Sequence, residues 1–520
     1  MRALALRCLA AVAAGALWGA TLGSEPRPLL AWVALAPLLL LLGGRRPALI
    51  GFLHGLASWL VTIPWIAPTL VTYGGLSRGL AALLVVVLAA YLGAFHALFA
   101  ALAAGPWRRG GAWALIAPPA IWTALEWLRA HLFGGFPWTP AAHAWTEQAG
   151  ALGSAAWIGA AGVSFLVVLA NAGVAAAARR RWIAAGVGLL IPLALLAAGG
   201  RWGSGDAAGG AAAGPPLEVR IVQPNIENLP NLPDQATDWE TILANYRGLL
   251  ELSRQACEPG ALVVWPESAA WPYAYHRDAG LREDLAALAA AGCAVLFNSA
   301  HPEDGRWYNS AFLLAPGGGL ARYDKRHLVP FGEYVPLGET FEFIGTLARA
   351  AGSFSAAEEA RLLPWQGEEL GVAICFEIVF PEEVADLVQA GATVLVTVTN
   401  DAWYGDTSAP WQHFRAARWR AAESRRPVLR AAITGVSGLI EADGSVRGRL
   451  GVGRRGIIAG RVTPRGDLSP ASRAPWAVPL AATLLAAWAV AAAARASGFA
   501  SGISGISGIF RRRRSSRSRS

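Results

Sequence analysis

The chain has 520 residues, of which 54% are hydrophobic and only 15% charged. That is too apolar for an ordinary soluble protein and long enough for two substantial domains. The formal net charge of +9 does not mark a nucleic-acid binder, because the arginines cluster in breaks between apolar runs and in the C-terminal tail, the pattern of membrane topology.

Most charged residues lie between 217 and 463, so the plan is membrane segment, soluble insert, membrane segment. Apolar runs near 3–22, 28–43, 47–68, 80–104, 111–133, 155–178 and 182–199 each approach the roughly 20 residues a bilayer helix needs. The first, with Arg2 and Arg7, has the look of a signal peptide. Further runs follow at once, so it reads as a retained helix. Arg45-Arg46, Arg108-Arg109 and Arg179-Arg180-Arg181 fall in alternate loops. The positive-inside rule then puts the N-terminus and those loops in the cytoplasm and the insert on the outer face. The loop from Phe133 to Trp145 is aromatic and, up to Trp145, uncharged, which suits the lipid interface. Glu126 and Arg129, three apart near a helix end, are expected to pair with each other rather than to face a polar head group.

Residues 1–203 therefore read as a membrane domain of about seven transmembrane helices and 204–216 as a flexible linker. The insert, 217–465, alternates strand-like runs (217–226, 261–265, 293–298, 308–315, 371–376, 392–399, 428–434, 456–462) with helical patterns near 238–256, 278–291, 381–389 and 409–424. That alternation indicates an α/β sheet domain. A last span at 474–495 returns the chain to the cytoplasm, and 496–520, ending in Arg511–Arg514 and an Arg/Ser stretch, reads as a disordered basic tail.

Four cysteines, Cys8, Cys257, Cys293 and Cys375, form no CxxC pair and no Cys/His metal spacing, so no metal and no cofactor are expected. Whether Cys257 and Cys293 pair is open. Lys325 is the only lysine among 44 basic Lys and Arg residues. A site that keeps lysine where arginine is used everywhere else points to a need for a compact ammonium.

Three motifs put polar residues beside strands: Val264-Trp265-Pro266-Glu267-Ser268, the run from Tyr323 through Lys325 to Glu333-Tyr334-Val335-Pro336, and Gly371-Val372-Ala373-Ile374-Cys375-Phe376-Glu377. Each alone has a bland reading: a turn cap, a solvated charge, a core thiol. Together, and in this order, they resemble the nitrilase superfamily, whose members use a Glu-Lys-Cys triad on a four-layer αββα sandwich. With the flanking spans, and with Tyr73-Gly74-Gly75-Leu76, Glu126-Trp127-Leu128-Arg129, Gly135-Phe136-Pro137-Trp138, Asn400-Asp401-Ala402-Trp403-Tyr404-Gly405, Gln412-His413 and the run from Arg426 to Ala431, the whole chain resembles the apolipoprotein N-acyltransferase family, a membrane-bound branch of that superfamily. The resemblance implies an α-helical membrane domain of about eight transmembrane helices carrying such a sandwich.

It also implies a ping-pong acyl transfer. Cys375 would take the sn-1 acyl chain of a phospholipid, typically phosphatidylethanolamine, as a thioester. The α-amino group of a diacylglyceryl-cysteine at an apolipoprotein N-terminus would then attack it, the last step of bacterial lipoprotein maturation at the cytoplasmic (inner) membrane. The roles suit the residue types: Glu267 as general base, Cys375 as nucleophile, Lys325 beside the developing oxyanion and favouring the thiolate, and the backbone N–H after Cys375 as a second donor. Glu333, Phe376, Glu377 and Trp403 are expected to support the site or bind substrate. Phe331, Tyr334, Phe341 and Phe343 either form loops touching the bilayer above the site or serve ordinary packing. The chain departs from the family where a Trp follows the first strand: Trp239 is displaced and inherits no role. Rival readings are an amidase that passes the acyl group to water and an inactive membrane scaffold.

Overall fold

A computed structural model describes residues 2–25, 27–203, 213–226, 238–330, 332–334 and 354–495. Phe331, Phe341, Phe343, most of the linker and the basic tail lie outside the described residues.

The N-terminal region is helical. Arg2–Ala20, Arg78–Arg109, Ala151–Ala178, Trp182–Arg201 and, at the far end, Ala477–Arg495 are long and apolar enough to cross a bilayer. Pro47–Thr62 and Ile66–Thr72 form a sixth such element, bent by 54° at Ile63–Trp65. By length and composition the described residues thus hold five spans, or six with the bent pair, rather than the eight the sequence suggests. Two expected spans differ for local reasons. The run at 28–43 folds as Pro28–Ala31 and Ala36–Leu41; in each a proline sits in the first turn, where its missing N–H costs nothing. The run at 111–133 is a continuous helix, Ala112–His131, carrying Glu126 and Arg129.

Glu126 and Arg129 do not pair, contrary to expectation. Arg129 donates to the carbonyls of Phe136 and Trp138 (2.6 and 2.9 Å), while Glu126 accepts from the Trp122 indole and the Ala141 amide (2.8 and 2.7 Å). The helix end has stray polar groups because the loop after it has unpaired backbone to satisfy. That clamp fixes the aromatic loop, and Trp138 with it.

The sheet domain is a sandwich of two six-stranded sheets. The first runs β12-β1-β2-β3-β4-β5: β1 (Leu217–Gln223), β2 (Leu262–Val264) and β3 (Ala294–Glu303) are parallel, flanked antiparallel by β12 (Gly456–Val462), β4 (Arg306–Leu314) and β5 (Leu320–Asp324). The second repeats the scheme, with parallel β7 (Glu368–Ile374), β8 (Val394–Thr399) and β9 (Val428–Ala432) flanked by β6 (Leu363–Trp365), β10 (Ser437–Ile440) and β11 (Val446–Leu450). Period-2 alternation sorts the core. Val219, Ile221, Leu262, Val264 and Leu296 face the second sheet, whereas Val222, Val263, Val295 and Phe297 face the outer helices Trp239–Ala256 and Ala279–Ala290. Each such side chain removed from water contributes about 1.5–3 kcal/mol. Helices Pro381–Gln389 and Ala409–Ser424 cover the second sheet, completing four layers.

Eight strands were legible in the sequence and the described residues form twelve. The four missed, β5, β6, β10 and β11, are the short edge or hairpin strands; β6 is three residues with a proline, and it is joined to β7 through Gln366-Gly367, both at positive φ, as a tight hairpin turn demands.

Helix Ala409–Ser424 is wedged between the second sheet and the membrane bundle. Gln412 donates from Nε2 to the carbonyls of Leu22 and Thr62 (3.0 and 2.9 Å) and accepts at Oε1 from the indoles of Trp65 and Trp138 (3.1 and 2.7 Å). Arg415 donates to the carbonyls of Leu22, Gly23 and Ser24. Gly159, at φ 64°, breaks the Ala151–Ala178 helix and frees the Ala160 amide for Oε1 of Glu423 (2.5 Å). Charges that look solvated in the sequence therefore join the two halves.

Candidate active site

The sandwich brings Glu267, Lys325 and Cys375 together. Each follows a strand: β2, β5 and β7. Each is buried, at 6%, 1% and 7% exposure, so the charges have to answer to one another. Lys325 Nζ lies 2.9 Å from Glu333 and 3.6 Å from Glu267 Oε1. Asn309 Nδ2 donates to both carboxylates, at 2.9 Å to Glu267 and 2.8 Å to Glu333. The Asn400 amide holds the other Glu267 oxygen at 2.9 Å, and the Val329 amide holds Glu333 Oε2 at 2.8 Å. Burial works against the Lys325 charge, but Glu333 and Glu267 outweigh it and hold the ammonium above the ordinary lysine range.

The strand expected over 371–376 stops short of Cys375. β7 stops at Ile374, and Cys375 opens a 3₁₀ turn, Cys375–Val379, with φ 53°. A non-glycine residue in the left-handed region costs about 1 kcal/mol or more and persists here because its surroundings fix it. Lys325 does favour the thiolate, but burial and Glu267 prevail and push the thiol above its ordinary range. Cys375 therefore rests as a thiol.

Glu377 is the clamp beneath the turn. Its Oε1 accepts from the Tyr323 hydroxyl (2.9 Å) and the amides of Arg326 and His327 (2.6 and 3.2 Å), and its Oε2 accepts from the Ile374 amide at 2.6 Å. It thereby ties the Lys325 segment to the Cys375 turn. Burial, with Glu383, raises its carboxyl to about 7, against the pull of Lys325 and those amides. Glu377→Gln would turn an N–H₂ toward the Ile374 amide, donor against donor, at a cost of about 1–3 kcal/mol. We expect this variant to form acyl-enzyme on the order of tenfold more slowly at pH 8. The folded wild type binds the Glu377 proton more tightly than the unfolded chain, whose carboxyl has the ordinary value of 4.5. Its stabilising contribution is therefore full below that value and is lost as the pH rises through about 7. Melting wild type and Glu377→Gln across that window checks the sign: the wild type's advantage should shrink with rising pH.

Phe376 packs edge-on to Phe380 (5.1 Å between centroids) and under Trp138 (6.4 Å), so the clamped membrane loop reaches over the site. Tyr334, half-buried, lies beside Gly134 of the same loop. Trp403 is 43% exposed and stacks edge-on with Tyr73 at 4.6 Å, holding a membrane segment and making none of the triad's contacts. Trp239 is exposed at the start of an outer helix. Cys257 and Cys293 are joined by a disulfide.

Asn309 escaped sequence reasoning, although a signal was present: period 2 in β4 puts it on the face of Ala311 and Leu313, a polar side chain pointing inward. Thr399 gave no comparable signal, whereas Asp401 and Arg430 stand in motifs already singled out, without a role assigned to them. Among the described residues no cluster of His, Cys, Asp or Glu is placed to hold a metal ion.

Residues 218–466 match the carbon-nitrogen hydrolase family model, and residues 14–173 match that of the apolipoprotein N-acyltransferase N-terminal domain. The apolipoprotein N-acyltransferase of Geobacter metallireducens is 35% identical over 475 residues, covering 87% of this chain and 89% of its own length. That of Ralstonia nicotianae is 36% identical over 480 residues, covering 88% and 87%. A nitrilase-superfamily amidase from Nesterenkonia overlaps 48% of this chain and 90% of its own at 20% identity and a TM-score of 0.36, too slight to carry an inference. Matched in both halves and along most of its length, the chain belongs to the apolipoprotein N-acyltransferase family.

Proposed function

We propose that this protein transfers the sn-1 acyl chain of a membrane phospholipid to the α-amino group of a diacylglyceryl-cysteine, through a thioester on Cys375. The observation that carries the reading is the buried meeting of Glu267, Lys325 and Cys375 beneath a loop clamped to the membrane helices. Glu267, held by Asn309 and the Asn400 amide, takes the thiol proton as sulfur attacks the ester carbon. Lys325 carries the compact charge that meets the oxyanion. The first N–H groups of the 3₁₀ turn have no acceptor within it, and the Phe376 N–H supplies a second donor. The lysophospholipid leaves with that proton, returned by Glu267 to its oxygen; the acceptor amine then attacks the thioester and passes its proton to Glu267, which hands it to Cys375 as the carbon–sulfur bond breaks. Glu333 holds Lys325 in place, Glu377 ties the two segments together, and Phe376 shapes the acyl path. The catalytic unit is 217–465.

Incubation with radiolabelled acyl-phospholipid, with and without a diacylglyceryl-lipopeptide, tests this. The expected result is label held on the protein until acceptor is added, then moved to its amine. Rapid release of free fatty acid without acceptor would make the protein an amidase-like hydrolase. Absence of any label would make it a scaffold.

We further propose eight crossings, with the sheet domain on the outer face of the cytoplasmic membrane. Arg7 donates to the Arg45 carbonyl, Arg179 to that of Leu40 and Arg109 to that of Ala492. The basic loops and the end of the last helix therefore gather at one end of the bundle. Leu22–Ser24, Thr62, Trp65 and Trp138 meet the sheet domain at the other. Residues 28–44 and 112–131 connect those ends, which restores two passes and keeps every arginine cluster on one side. A disulfide between Cys257 and Cys293 fits an oxidising compartment. Reporter fusions at Gly210 and Ser520 should report opposite sides; one side for both would refute the eight-pass topology.

A further inference from the structure

Below the triad lies a buried polar layer that the proposed chemistry does not use. Thr399 ends β8, the strand paired with β7, and its hydroxyl lies 3.3 Å from Cys375 Sγ and 2.9 Å from Asp401 Oδ1. Oδ1 also faces His413 Nδ1 at 3.0 Å, and Oδ2 accepts from Arg430 Nη2 at 2.7 Å. His413 Nε2 lies 2.9 Å from the carbonyl oxygen of Cys375. Arg430 is anchored in turn by the Val436 carbonyl at 3.0 Å. All four side chains are shut off from solvent.

The donor inventory decides where protons sit. A carbonyl oxygen only accepts, so His413 Nε2 donates to Cys375. That bond holds the peptide of a residue whose φ of 53° is unfavourable by itself. Burial works against the Asp401 charge, but Arg430 and His413 outweigh it and keep the carboxyl below its usual range. Asp401 is therefore an acceptor, and the single Thr399 proton points at it while Cys375 is a thiol. The Thr399 lone pair is then left for the S–H. Once the thiol proton has gone, sulfur becomes a second acceptor at hydrogen-bonding distance from the same hydroxyl.

We propose that Thr399 is a further catalytic residue, a hydroxyl that turns from Asp401 to Cys375 Sγ as the thiolate forms. Asp401 and His413 are positioning residues, the first aiming that hydroxyl and the second holding the Cys375 peptide. The proposal rests on Cys375 being the nucleophile. In the step itself the S–H bond breaks, its proton goes to Glu267 and the electron pair stays on sulfur. Thr399 keeps its own proton throughout and only redirects it. The other groups acting on the sulfur are Glu267 after β2, Lys325 after β5, and Asp401 and Tyr404 in the turn after β8. Among the described side chains, Thr399 is the one at hydrogen-bond distance from it.

The test uses the full-length protein with Cys8→Ser, so that Cys375 is the one free thiol. The rate of alkylation by iodoacetamide against pH gives the thiol pKa, and labelled phospholipid gives the acyl-enzyme rate. Thr399→Val keeps the shape and removes the hydroxyl. It should raise the thiol pKa by about one unit and slow acyl-enzyme formation about tenfold, since hydrogen bonds to charged groups are worth about that much. Thr399→Ser should restore both. His413→Ala should slow acylation without moving the thiol pKa, as expected of a group that acts on the backbone. If Thr399→Val is poorly folded, Thr399→Ala gives the same readings. Wild-type pKa and rate in the hydroxyl-free variants would overturn the proposal. If the wild type takes no hydroxylamine-labile acyl group, it is the reading of Cys375 that fails, and the alkylation profiles still decide whether Thr399 governs the thiol.

Discussion

Cys375→Ala, incubated with acyl-phospholipid, will carry no acyl group, while the wild type will carry one that neutral hydroxylamine releases. Deleting a nucleophile from an assembled site costs on the order of 10⁴–10⁶ in rate, so the expected difference is label against background. The other cysteines provide the internal control. Cys257 and Cys293 are oxidised to each other and offer no thiol. Cys8 lies in the first helix, and His, Lys and Glu are absent from that helix to activate it. Alanine removes the sulfur from a half-strained turn without adding bulk, so the variant should insert and fold. Its melting temperature, measured in the same detergent, separates a dead site from a lost fold. Persistent hydroxylamine-labile label in Cys375→Ala would move the nucleophile elsewhere and dissolve the proposed mechanism.

Lys325→Arg should lose acyl transfer by on the order of 10²–10³, the usual effect of removing one oxyanion-type donor. The reasoning has two independent parts. This chain uses arginine for every other cationic side chain, so the lysine is an exception to its own composition. The structure then shows the space it occupies: Nζ is 1% exposed as part of its residue and sits between Glu333 and Glu267, at 2.9 and 3.6 Å. A planar guanidinium is wider, spreads its charge over three nitrogens and prefers to grip one carboxylate with two parallel bonds. In this slot it would seize Glu333 or Glu267 and turn its remaining donors away from the acyl oxygen. The positive charge itself survives, so folding should depend less on the change than catalysis does. Acyl-enzyme formation at matched protein levels is the measurement. Near-normal turnover in Lys325→Arg would show that the lysine is a compositional accident.

Both expectations were open to the sequence through motifs that resemble a known family. Glu267 and Cys375 each follow a short apolar run and Lys325 is the one lysine of an arginine-rich chain, but each has a bland reading alone, and only their order together points to a site. The strand-like runs at 261–265 and 293–298, the helical pattern near 238–256 and the spacing of the arginine clusters are likewise written in patterns of a few residues. What lies between elements far apart in the chain was not. Glu126 and Arg129 look like an ion pair by their spacing, yet each answers to backbone groups in a loop that only the fold brings back upon them. Helix Ala409–Ser424 carries enough charge to pass for a solvated face, and it is buried because the membrane bundle closes over it.

The sequence by itself determined the membrane-and-sheet plan and the odd lysine, because hydrophobic period and composition act over short distances; it brought Glu267, Lys325 and Cys375 forward only through the family their motifs resemble. Tertiary structure alone decided that Cys375 is left-handed and rests as a thiol, that Asn309 bridges two carboxylates, and that Thr399, Asp401, His413 and Arg430 underlie the sulfur. Those facts depend on which polar groups lose water together, and desolvation is a property of the assembled site rather than of any one stretch of chain.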